Sequence, residues 1–131
     1  MIELDQLDDK KKINLTFKLA QIFEHWNLSD KDQLALLSLG ESIRARHLYL
    51  YRRGDKSFDF NETSFNRAQI IIGIFEALST TYPTNSEYAS IWLKRPVRKF
   101  KHKAPLDLML SGGVGMNRVW NFLDCTQSWN H

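Results

Sequence analysis

The stretch Ser29-Asp30-Lys31-Asp32-Gln33-Leu34-Ala35-Leu36-Leu37-Ser38-Leu39-Gly40-Glu41-Ser42-Ile43-Arg44-Ala45-Arg46-His47-Leu48-Tyr49-Leu50-Tyr51-Arg52-Arg53-Gly54 decides how the chain is read. Ser29 is a natural helix cap, with Asp32 three residues on as its partner, and Asp30 and Asp32 favour the positive end of a helix dipole. Leu34, Leu36 and Leu37 predict a buried side, and Gly40 the turn, because glycine accepts a left-handed backbone at no cost. Glu41 to Arg53 then reads as a second helix, closed by Gly54. That is the outline of a helix-turn-helix. Arg44, Arg46, Tyr49, Arg52 and Arg53 would face outward, where phosphates and guanine edges are read by cations. The same pattern also describes an ordinary helical hairpin with a solvated basic face, and Gly40 falls one position later than the commonest spacing from Ala35.

Outward from this stretch the spacing stays helical. Residues 1–12 are charged and are expected to be a flexible N-terminus. Ile13 to Trp26 carries apolar residues at steps of three and four, an amphipathic helix broken by Asn27-Leu28-Ser29. Ser57 to Asn61 is a polar loop in which Phe58 and Phe60 alternate, placed to tuck back into the core. Asn61 or Thr63 caps a long helix that Tyr82-Pro83 stops near Thr81. Its predicted buried face is Phe65, Ala68, Ile71, Ile72, Phe75 and Leu78. The polar tract Ser79 to Asn85 is the best internal boundary, dividing residues 13–81 from residues 82–131.

The second part opens with a short helix from Asn85 or Ser86 to about Lys94. A basic loop follows, Lys94, Arg95, Arg98, Lys99, Lys101, His102 and Lys103, broken by Pro96. Pro105 suits the first turn of a helix that runs to about Leu110. Gly112-Gly113 turns the chain into a last helix over Val114 to Asp124. Leu106, Met109, Leu110, Met116, Val119, Phe122 and Leu123 are expected to pack together. No strand pair is convincing, so the predicted class is all-α.

With 131 residues, 43% hydrophobic and 25% charged, the chain suits one compact domain or two small ones sharing a core. A net charge of +3 permits an anionic partner. The lone Cys125 excludes an intramolecular disulfide and a cysteine-rich zinc cluster, which fits a reducing cytoplasm. The acidic start has no apolar signal segment, and the apolar run Ala68 to Leu78, interrupted by Gln69 and Glu76, is too short to span a bilayer. A cytoplasmic protein with no membrane association is therefore expected.

The residues offer little chemistry. His25, His47, His102 and His131 lack ligand spacing, so no metal and no cofactor is expected. Cys125 has no obvious base, and Ser111 lies in no nucleophile elbow. Gly112-Gly113-Val114-Gly115 lacks both the preceding strand and the following Lys-Ser/Thr of a phosphate cradle, and a helix–helix turn explains it better. The chain reads as a non-enzyme. The basic loop is either a solvated loop or a grip for phosphate or an acidic protein surface, with Phe100 favouring a binding surface. The aromatic end, with Trp120 and Trp129, either closes the core or anchors a partner.

The two parts together carry a resemblance. In the first, Ile22-Phe23-Glu24-His25-Trp26-Asn27-Leu28-Ser29, Gln33-Leu34-Ala35-Leu36-Leu37 and Tyr49-Leu50-Tyr51-Arg52-Arg53-Gly54 follow one another. In the second come Tyr88-Ala89-Ser90-Ile91-Trp92-Leu93-Lys94-Arg95-Pro96, Ala104-Pro105-Leu106-Asp107-Leu108-Met109-Leu110, Gly113-Val114-Gly115 and Val119-Trp120-Asn121-Phe122-Leu123. In order and spacing this resembles the Xre/MbcA/ParS antitoxins of bacterial type II toxin–antitoxin modules, from about Ile13 to Leu123. Two departures stand out. Lys103-Ala104-Pro105 lacks the hydroxyl cap usual before the family's proline, and Ser38 to Ile43 is longer than the family's turn.

The resemblance implies an Xre-like helix-turn-helix domain over 13–81 and a toxin-binding domain over 82–131. It implies a cognate toxin, commonly a RES-domain enzyme that depletes NAD, blocked by the antitoxin, and operator DNA bound to repress the operon. A homodimer or a larger hetero-oligomer with the toxin follows. The implied DNA contacts are Arg44, Arg46, Tyr49, Arg52 and Arg53. The implied toxin contacts are Arg95, Arg98, Lys99, Lys101, Arg118, Trp120, Asn121 and Trp129. The alternative is a free-standing helix-turn-helix transcriptional regulator whose C-terminal unit only dimerises.

Overall fold

The computed structural model describes residues 3–83 and 87–129, with side chains of the last helix described through Asp124. The described residues form α-helices α1 (Asp9–His25), α2 (Asp30–Leu36), α3 (Glu62–Thr81), α4 (Glu87–Lys94), α5 (Pro105–Leu110) and α6 (Gly113–Trp129). Short 3-10 turns occupy Leu4–Gln6, Ala45–Tyr51 and Arg98–Phe100. Among the described residues there is no strand, only one antiparallel bridge between Val97 and Lys103. The chain is all-α, as its periodicity predicts. The expected opening of α4 at Asn85 or Ser86 lies outside the described residues.

Local chemistry sets the helix ends. The Asp8 carboxylate accepts the Lys11 N–H at 2.8 Å, so α1 starts at Asp9 rather than at Ile13. Its other end is a Schellman turn on Asn27, whose φ is 54°. There the Leu28 N–H reaches the Phe23 carbonyl at 3.2 Å, and both side chains are buried. Ser29 caps α2 as predicted, accepting the Asp32 N–H at 3.2 Å. Asn61, not Thr63, caps α3, in a reciprocal pair with Ser64.

The turn after α2 departs from expectation. Ser38, not Gly40, takes the left-handed conformation, with φ 57°. The Leu39 N–H then closes on the Leu34 carbonyl at 2.9 Å and the Ser38 N–H on that of Ala35 at 3.1 Å. This second Schellman turn is driven by burial of Leu34 and Leu39, 3% and 1% exposed, so apolar closure selects the residue rather than glycine's freedom. The predicted second helix, Glu41 to Arg53, does not form as an α-helix. Residues 37–43 turn, Arg44 is extended, and Ala45–Tyr51 is a 3-10 turn. Within that turn Leu48 is buried and Tyr51, three residues on, is half-buried, so packing of this pair favours the 3-10 repeat.

The core runs through the molecule. Leu19, Ile22, Phe23 and Trp26 of α1 join Leu34, Leu36 and Leu37 from α2 and its exit. Ile71, Ile74 and Leu78 of α3 and Met116 and Val119 of α6 continue it without a break. On α3, Ile74 is fully buried whereas Ile72 and Phe75 lie at the margin. Phe58 and Phe60 tuck in as anticipated, Phe58 stacking on Tyr51 with ring centres 4.9 Å apart. The most extensive helix contacts are α3 with α6 and α5 with α6. α4 also fastens the end of α1: the Ser90 hydroxyl donates to the Trp26 carbonyl at 2.9 Å, and the Lys94 ammonium to that of Asn27 at 2.8 Å.

Two glycines are required by α6. A side chain at Gly73 would meet the Trp120 ring at 2.5 Å, and one at Gly115 would collide with the Leu108 carbonyl. Small residues at these two points let α6 lie close to α3 and α5.

Candidate functional site

Basic side chains gather in two places. The first is the 3-10 segment Ala45–Tyr51 and its flanks. With three residues per turn, Arg46 and Tyr49 lie along one edge, which Arg52 at the cap continues, apart from the edge that buries Leu48. Arg44, Arg46, His47, Tyr49 and Arg53 are exposed. The Arg53 guanidinium sits 6.0 Å from the Tyr49 ring centre. Arg52 is engaged instead: it pairs with Asp30 at the start of α2, both about half-exposed. The five residues expected to read DNA thus share one segment, but that segment is not an α-helix, and one of its cations faces the protein's own carboxylate.

The second is the loop between α4 and α5. It is a closed structure. The Val97 N–H bonds the Lys103 carbonyl at 3.0 Å, and the His102 N–H returns to the Val97 carbonyl at 3.1 Å. The N–H groups of Phe100, Lys101 and Lys103 are likewise bonded within the loop. Lys101 and His102 both take left-handed backbones, φ 55° and 63°, which the surrounding hydrogen bonds enforce. With these amides used internally, the loop presents mainly side chains to its surroundings. Arg98, Lys99, Lys101, His102 and Lys103 are all exposed.

Aromatic packing anchors this loop. Phe100, 2% exposed, meets Phe122 of α6 edge-on at 5.1 Å, and Phe122 stacks on Trp92 of α4 at 6.2 Å. Arg118 lies over the Phe100 ring at 5.6 Å and donates to the Lys99 carbonyl at 3.5 Å. The run of cations is therefore held in place by one buried aromatic within it. Phe100 is the feature that the sequence marks and whose anchoring role sequence reasoning misses.

Of the expected toxin contacts, Arg95, Arg98, Lys99, Lys101 and Arg118 come together around this loop. Asn121 is exposed on α6. Trp120 is part-buried and fills the space above Gly73, so it packs the α3–α6 seam. The side chain of Trp129 lies outside the described residues. Lys94, counted with the loop by sequence, is tied to α1 instead.

Clefts of about 410 and 740 Å³ open on the N-terminal half, and neither draws on the basic loop. The first is bordered by Phe17, Glu24, Asp30 and Arg52, so the Arg52–Asp30 pair forms part of its wall. Among the described residues, no group of three His, Cys, Asp or Glu side chains is placed to hold a metal ion. No described helix is long and apolar enough to cross a membrane. The chain matches no protein-family model and shows no significant similarity to a curated protein.

Proposed function

We propose that this chain is an antitoxin that binds and blocks a partner toxin of the RES-type, NAD-depleting class. The observation that carries the reading is the basic loop Arg98 to Lys103. It is closed by its own hydrogen bonds and pinned by Phe100 and Arg118, and among the described residues its cations make no ion pair. Preorganisation of this kind lowers the entropic cost of docking. The ordered likeness of residues 88–123 to the toxin-binding part of Xre/MbcA/ParS antitoxins supports this choice of partner class.

The N-terminal part contributes a second, weaker role in this reading. Arg44, Arg46 and Arg53 are exposed and supply phosphate contacts for operator DNA, in the place a helix-turn-helix would put its reading helix. Ala45–Tyr51 offers no α-helix to lay in a major groove, so this contact is to the backbone more than to base edges. That weighs against the alternative of a free-standing helix-turn-helix regulator. A homodimer on DNA, or a larger assembly with the toxin, fits the paired half-sites such proteins read.

Co-expression tests the proposal. The neighbouring reading frame, induced alone, should arrest growth, and this chain induced with it should restore growth. A harmless neighbour, or one that stays toxic beside this chain, overturns the reading.

A further inference from the structure

Helix α4 carries a partly exposed apolar stripe on its outer side, at one end of which Tyr88 meets the Tyr82 ring with centres 5.8 Å apart. Ala89 and Leu93 point inward, 8% and 0% exposed. On the opposite side Tyr88 and Ile91 are 53% and 45% exposed. Positions 88, 91 and 95 are spaced to align along one helix face, so the stripe ends on Arg95. The Arg95 N–H still bonds the Trp92 carbonyl at 3.3 Å, which carries the turn that far. One flank of the helix is occupied, because Ser90 and Lys94 are bonded to α1. On the other flank Trp92 leads through Phe122 to Phe100, the anchor of the basic loop. The stripe ends at Arg95, and the loop that carries Arg98, Lys99 and Lys101 follows it directly in the chain.

An exposed tyrosine and isoleucine beside arginine, rimmed by lysines, have the composition of an interface centre and its rim. A nucleic-acid backbone would use the cations but not the Tyr88–Ile91 pair. A second copy is disfavoured by charge. Among the described residues Arg95, Arg98, Lys99 and Lys101 make no ion pair, and a twofold self-contact would bring these cations near their own copies. We propose that the outer face of α4 is the centre of the docking surface, and that it receives an acidic amphipathic helix of the partner protein. The partner's apolar stripe seats on Tyr88 and Ile91, and its carboxylates face Arg95, Arg98 and Lys99. Helix ridges spaced at three and four residues pack on one another in this way. The inference rests on the reading that this chain neutralises a protein partner, and it adds where that partner docks and by what chemistry.

The test titrates the full chain into the purified product of the neighbouring reading frame by calorimetry. Two variants are compared, Tyr88→Ala with Ile91→Ala, and Arg98→Glu with Lys99→Glu. All four side chains are exposed, and unchanged thermal melting confirms that each variant folds. Each variant should bind at least tenfold more weakly, and the charge variant should lose the salt dependence of wild type. Hydrogen exchange on the partner should show protection in an acidic helix. Tight wild-type binding that neither variant weakens, or protection in a basic or non-helical segment, overturns the docking proposal and leaves the antitoxin reading standing. If wild type does not bind, the antitoxin reading falls, and selection from a random-peptide display library decides the surface. Enrichment of acidic helical peptides that bind wild type but not the Tyr88/Ile91 variant supports the proposal; enrichment of peptides without acidic character overturns it. A wild-type dimer in ultracentrifugation that Ile91→Ala dissociates also overturns it, by showing a second copy on this face.

Discussion

Gly115 sits where α6 crosses the end of α5, and any side chain there collides with the Leu108 carbonyl. A backbone carbonyl cannot swing aside as a flexible side chain would. Gly115→Ala should therefore destabilise the fold by about 1–3 kcal/mol, the range for overpacking. Gly113 faces open space at the start of the same helix, so Gly113→Ala should leave stability within about 1 kcal/mol of wild type. Urea midpoints of the two variants check the pair. Thr16 makes a different demand. Its buried hydroxyl donates to the Lys12 carbonyl at 2.8 Å and accepts the Phe58 N–H at 2.9 Å. Thr16→Val strands that N–H in the core and should cost about 1–3 kcal/mol by thermal or urea unfolding. Nothing in the sequence pairs residue 16 with residue 58, because a bond across so many intervening residues leaves no periodic trace. The cap at Ser29, by contrast, was legible, since it depends on a neighbour three positions away.

Among the elements, the proposed function turns on two segments. The helices were readable because each one's apolar spacing matches the face it buries. Ala45–Tyr51 was not, because a short segment with apolar residues at intervals of three is compatible with more than one helical repeat, and tertiary packing of Leu48 chooses between them. The consequence for DNA is specific. Replacing Arg44 and Arg46 by Ala should weaken binding to operator and unrelated duplexes alike and flatten the salt dependence, as loss of phosphate contacts does. A loss confined to the operator would instead indicate base reading. Mobility shifts at two salt concentrations separate the outcomes. For the basic loop, Phe100→Ala should release its cations from α6 and destabilise the fold by about 3–5 kcal/mol, because the ring is buried against Phe122.

At the scale of the whole molecule, the N- and C-terminal parts share one continuous core, and α4 is bonded to the end of α1. The basic segment at 44–53 and the basic loop at 94–103 are thus carried on a common framework. Composition anticipated a core of this size, but not that Tyr88 and Ile91 on the outer face of α4 would stay about half-exposed. That face shows only once Ala89 and Leu93 are seen to point inward. We propose that this framework presents a surface that silences a toxic enzyme. The most direct measurement titrates this chain into the purified product of the neighbouring reading frame while NAD consumption is followed. Consumption should fall to background near a stoichiometric amount of the chain. Undiminished NAD consumption at a large molar excess would contradict it.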